Sequence, residues 1–147
     1  MTIIRNILAI IVGIVIGGAV NMSLVMLGPL VIPPPAGVDV TNTQSLIASI
    51  HLFEVRHFVF PFLAHALGTL VGVLTAFLVA GSHQSIFAYI VGAFSLAGGI
   101  AASVMIPAPI WFIVLDLVVA YLPMAWIGTV IGRRIKSGVV APVQNAV

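Results

Sequence analysis

Asp116 lies inside an apolar run from Ile110 to Leu122, His65 inside another from Phe58 to Ala80, and Asn21 inside a third from Ile7 to Leu27. A carboxylate in the middle of a membrane span costs at least ~2.5–3.5 kcal/mol on insertion scales. Asp116 therefore calls for a partner, and His65, Asn21 or Arg56 can supply one. Counted along helices, His65 lies ~12 Å below His57 and Asp116 ~12 Å below Ala108. Asn21 lies about six residues below the end of its own run, so the three polar groups share a depth. An acid, an imidazole and an amide together can exchange a proton, hold a cation or bind a small polar solute. The alternative is a buried carboxylate that only ties helices together. A dry setting raises a carboxyl pKa and a cationic partner lowers it, and the sequence does not choose between them.

A second polar group, His51, Glu54, Arg56 and His57, precedes the second run and reads as the mouth of that pocket. On one continuous helix, and relative to His51, Glu54 falls at about −60°, His57 at about −120° and His65 at about −40°. Glu54-x-x-His57 places a carboxylate and an imidazole on one helix face, as di-iron bundles do with two such motifs. Only one motif is present, so Glu54 and His57 could hold a metal only with ligands from a second copy. No cofactor is otherwise implied: bis-histidine haem ligation needs facing histidines at one depth, and His83 belongs to the opposite side. Ser95 and Ser103 have no acid–base pair nearby in sequence, and no phosphate-binding loop or dinucleotide fingerprint occurs.

These residues sit in a chain of 147 residues that is 62% apolar and 5% charged. Soluble domains carry roughly 25% charged residues. The expected fold is therefore an all-α integral membrane protein, a four-transmembrane-helix bundle with spans at about 7–27, 58–80, 85–106 and 110–131. The pI near 9.7 comes from scarce acids rather than a basic patch, so no nucleic-acid partner is expected. There is no cysteine, which excludes thiol chemistry and thiolate metal centres.

The first run continues past Gly17, Gly18 and Ala19 to Leu27, so it reads as a retained helix rather than a cleaved leader. Arg5, Arg133, Arg134 and Lys136 lie at one end of the spans and only Arg56 at the other. The positive-inside rule then places both termini in the cytoplasm and the protein in a bacterial inner membrane. His83 falls in a short solvated cytoplasmic hairpin. Residues 1–135 form one transmembrane domain, 28–56 an outward-facing loop and helix extension, and 136–147 a loosely ordered cytoplasmic tail.

In the outward segment, Pro33, Pro34 and Pro35 favour an extended stretch and Ala36-Gly37 a turn. Thr41-x-x-Gln44 suggests a capping box for a second helix running from about Ser45 to Ala80 and kinked at Pro61. Trp111 fits the membrane interface, whereas Tyr121 and Trp126 are deep enough to pack inside.

Small residues recur at helical spacing on every span: Gly13, Gly17 and Asn21; Gly68, Gly72 and Ala76; Gly92, Ser95 and Gly99. On the fourth, Ala125, Gly128 and Gly132 lie opposite Asp116 on an ideal helix. Such stripes let helices approach where lipid removes the hydrophobic drive, and they suit a compact bundle or a homo-oligomer. Two functions are expected to compete: transport or binding of a proton, cation or small polar solute, and a noncatalytic accessory subunit of a larger membrane complex. An intramembrane enzyme lacks ligands on one chain.

Overall fold

Backbone amides in lipid find partners only within their own helix or a closed barrel. The computed structural model describes residues 1–140, with side chains through Gly138, and it is helical with no strand among the described residues. Helix α1 spans Thr2–Val31, α2 Thr43–Ser49, α3 Val59–Val79, α4 Gln84–Met105, α5 Ile110–Leu115 and α6 Leu122–Val140. A π-helical turn, Asp116–Tyr121, joins α5 to α6. Four helical segments are long and apolar enough to cross a membrane: Thr2–Val31, Val55–Val79, Gln84–Met105 and Ile110–Gly138. Their outward faces are apolar, as with Ile7, Ile11, Val15 and Met22 on α1. That surface suits hydrocarbon rather than water.

Helix α3 is central, and α1, α4, the π turn and α6 all pack on it. The small-residue stripes meet one another here. A Cβ placed on Gly17 would stand 2.7 Å from the carbonyl oxygen of Gly68, and one on Gly72 2.8 Å from that of Gly13. Glycine is what permits this contact between α1 and α3. Gly92 of α4 meets Ala125, and Gly128 meets the α3 backbone at Leu70. Between these seams lies a core of Val73, Ala76, Phe77, Ala88, Val91 and Ala125.

The expected continuous helix from Ser45 to Ala80 does not form. It is divided into α2, 3-10 turns at Ile50–Leu52 and Val55–Phe58, and α3. Glu54 causes the division by starting a new helical segment. Its backbone is extended, its side chain accepts from the backbone of His57, and its own N–H donates to His57 Nδ1 at 2.9 Å. Pro61 then falls in the first turn of α3, where a missing N–H costs nothing. The cap of α2 also differs from the expected box. Asn42 Oδ1 accepts from Gln44 N and Ser45 N, while Thr41 Oγ1 donates to Asp39. Asn42 wins because its short amide reaches both free donors of the first turn. The Ala36-Gly37 turn forms as expected: Val38 N donates to Pro35 O, and Gly37 has φ 82°, which a type II turn requires.

At the end holding both Arg5 and Lys136, the C-terminus of α3 is tied down by cations. Arg5 Nε donates to Val79 O at 2.7 Å and Lys136 Nζ to Ala80 O at 3.2 Å. Helix C-termini carry unpaired carbonyls and negative dipole ends, so cations belong there. Lys136 is thus in α6, which continues to Val140. The rest of the expected loose tail lies outside the described residues.

Candidate functional site

Asp116 owes its direction to the π turn. On an ideal helix Ala125 and Gly128 lie ~180° and ~120° from Asp116. A π turn closes its hydrogen bonds at i+5 instead of i+4 and so takes up about one extra residue. Removing one ~100° step brings those angles to ~80° and ~20°. Asp116 therefore shares the buried side of the fourth span with Ala120, Tyr121, Ala125 and Gly128. This corrects the expectation that it lies opposite the small stripe. The cue in the sequence is Pro123. Its ring would clash with the carbonyl of Val119 in an α-helix, and widening the preceding turn relieves that clash.

From α3, His65 reaches across to the turn. Its Nδ1 lies 2.8 Å from Asp116 Oδ2 and 2.9 Å from Oδ1. Asp116 is 4% exposed, and the side chain of His65 is 22% exposed. A carboxylate against Nδ1 takes the proton on that nitrogen, which fixes the tautomer and turns Nε2 away. Nε2 has no hydrogen bond to any described residue. It accepts when the ring carries one proton and donates when it carries two. The Tyr121 ring stacks at a tilt beside His65, with centroids 5.6 Å apart. Its phenol end lies against Gly99, where a Cβ would overlap it.

Two cavities flank His65. The first, about 310 Å³, lies between α1, α3 and α4, and Asn21, His65, Thr69, Ser95 and Tyr121 are its polar lining. The second, about 240 Å³, holds Asp116 and is roofed by Leu46, Ile50, Phe53 and His57. The two cavities adjoin at His65, Gly99 and Ala102. His65 lines both cavities, Asn21 the first and Asp116 the second. Thr69, one turn after His65, was not among the candidates. It is 2% exposed, and its Oγ1 has no hydrogen-bond partner among the described residues. Nothing distinguishes it in sequence from a threonine bonded back to its own helix, as Thr129 is to Ala125 O.

Among the residues expected at the mouth, His57 lines two cavities. Its Nδ1 accepts from Glu54 N–H, so Nε2–H donates to Pro33 O at 3.2 Å and pins the proline stretch. Both ring nitrogens are thereby engaged. Glu54 pairs with Arg56 at 3.0 Å on the exposed surface, which leaves Arg56 away from Asp116. His51 is exposed in a 3-10 turn. The shared helical arc fails because the chain breaks before α3. Among the described residues no three His, Cys, Asp or Glu side chains converge as a metal set. Trp111 stands edge-on to Phe58. Trp126 is exposed on the apolar surface rather than packed inside, because the π turn brings Ala125 inward and leaves its neighbour outward.

A buried polar residue at the other end also escaped the sequence reading. Asn6 Oδ1 accepts from Gly81 N and Ser82 N, and its Nδ2 donates to Ser82 Oγ. It closes the α3–α4 hairpin, where His83, with φ 46°, immediately precedes α4. No protein-family model, curated protein or solved structure matches this chain.

Proposed function

We propose that this is a multi-pass protein of a bacterial inner membrane, with both ends cytoplasmic, that binds and passes a proton or small polar solute at the His65–Asp116 pair. The orientation draws on the basic residues: Arg5, Arg133, Arg134 and Lys136 gather at one end, against Arg56 at the other. The observation that carries the reading is His65 itself, which is held by Asp116 through one nitrogen and lines cavities on both sides of the pair. A proton taken at Nε2 can leave at Nδ1 through the carboxylate, so the ring can relay it between cavities without moving its backbone. Ionisable groups inside spans mark such pathways.

The test is proton flux in proteoliposomes under a potassium diffusion potential, followed with an internal pH dye. The wild type should exceed empty vesicles, and His65→Ala and Asp116→Asn should fall to their level. Equal flux in wild type and both variants sinks the reading. A second reading, an accessory subunit of a larger membrane complex, draws on α2, a helix with no buried residue. Stable co-purification of one partner, lost when α2 is replaced by a glycine–serine linker, would favour it.

A further inference from the structure

The cavity bounded by α1, α3 and α4 has a side facing the bilayer. Helices α1 and α4 touch where Gly13 meets Val91, and a Cβ on Gly18 or Gly98 would meet nothing within 4 Å. Gly18, Phe94 and Gly98 line the cavity and are also exposed, so the opening lies between α1 and α4. Gly18 and Gly98 sit well inside helices Thr2–Val31 and Gln84–Met105. An opening at that depth faces acyl chains rather than water. Glycine in a helix costs up to about 1 kcal/mol relative to alanine. At Gly17 or Gly72 close helix contact explains it, but at Gly18 and Gly98 no neighbour does.

At the inner wall, Thr69 is 2% exposed, and its Oγ1, which has no hydrogen-bond partner among the described residues, is closed off from the cavity. Asn21 and the free edge of His65 line the same space. Nε2 of His65 has no hydrogen bond to any described residue, and partner-free polar groups inside an apolar bundle call for a group that completes them. The cavity lining contains no Lys, Arg, Asp or Glu, so it offers no counter-charge for an ion. We propose that the cavity is a lateral site for an uncharged, lipid-soluble molecule whose carbonyl or hydroxyl head group bonds to Asn21 and His65. The ligand enters from the bilayer between Gly18 and Gly98. This goes beyond the relay reading: a lipid-soluble ligand is a different class from the proton or small polar solute proposed there, and the two share only His65.

The test uses the purified full chain in lipid nanodiscs with 4-decylbenzophenone, an uncharged ketone that is also a photolabel. Labelling should saturate and map to peptides around Gly18–Asn21 and Phe94–Ala102. Asn21→Leu should weaken it about fivefold, the scale of one hydrogen bond. Gly98→Phe, and independently Gly18→Phe, should cut it about tenfold by filling the opening, with unfolding temperature preserved. Non-saturable label spread over the apolar surface, or label unchanged in both phenylalanine variants, overturns the proposal. So does efficient disulfide dimerisation of Gly98→Cys in this otherwise cysteine-free chain, because a second copy would then occupy the gap. Labelling blocked by Gly98→Phe while His65→Ala leaves proton flux intact would retain the lateral site and reject the relay. The reverse pattern would reject the lateral site alone.

Discussion

Asp116 and His65, 51 residues apart in the chain, meet with Nδ1 between both carboxylate oxygens at 2.8 and 2.9 Å. One nitrogen thus satisfies an acid that would otherwise be unpaired in an apolar span. Asp116→Asn keeps an acceptor for Nδ1–H and should cost about 1 kcal/mol. Asp116→Leu strands the imidazole donor and should cost about 1–3 kcal/mol. Unfolding in mixed micelles measures both. A leucine variant as stable as wild type would show that the pair contributes nothing to holding the bundle.

The α1–α3 seam makes glycine substitutions diverge by position. Gly72→Ala sets a Cβ 2.8 Å from Gly13 O and 3.2 Å from the Cα of Gly17, so the helices must part. A loss of about 1–3 kcal/mol is expected. Gly18→Ala, five residues from Gly13 on the same helix, meets nothing and should be neutral or gain up to about 1 kcal/mol. The same unfolding titration compares them, and equal losses would place both glycines in packed seams.

Asn6 predicts a local effect. Asn6→Leu removes the acceptor for Gly81 and Ser82 amides, donors that stand 2.9 and 3.2 Å away. The expected cost is about 1–3 kcal/mol, with faster hydrogen exchange confined to Gly81 and Ser82. Exchange that rises evenly along α3 and α4 would mean that Asn6 holds the whole bundle rather than its hairpin.

How far the sequence reaches follows from the length scale of each signal. Apolar runs of span length are long and redundant, so four spanning helices were readable in number and order, though the first begins earlier, at Thr2, and the fourth continues past the expected end to Val140. Depth counting brought His65 and Asp116 to one level, because rise per residue survives small irregularities. Rotation does not survive them. One extra residue in the π turn moved Asp116, Ala125 and Trp126 relative to the ideal wheel, and the Glu54 cap severed His51 and Glu54 from the arc of α3. Asn6 and Thr69 were missed because each depends on what a distant helix leaves unpaired.

Asp39 gives a pH dependence on the α2 side. Thr41 donates to its Oδ1 through Oγ1 at 2.7 Å and N at 2.9 Å, and these bonds hold its carboxyl below the ordinary value of 3.8. A depressed folded value means that the contribution is present above 3.8 and is lost as pH falls through the folded value. The Thr41 amide resonance should therefore titrate with a midpoint below 3.8. Asp39→Asn should remove that titration, and a midpoint above 3.8 in the wild type would contradict the bonding seen.

The π turn makes the sharpest demand on the site. Val118 lies within it and faces outward at 54% exposure, so its side chain contributes nothing to the core. Deleting Val118 together with Pro123→Ala should let Asp116–Tyr121 close as an α-helix, since one residue is what the wide turn holds in excess and the proline clash that favours it is gone. With α6 still seated on α3 through Gly128 and Gly132, Asp116 would turn about 100° away from His65. The bundle should survive while the pair is lost. Nitrogen NMR of the His65 ring reads this directly: the wild type should show an Nδ1 bonded to a carboxylate, and the deletion should not. If the deletion keeps the bonded signal, α5 rather than α6 sets the position of Asp116, and the π turn has another cause.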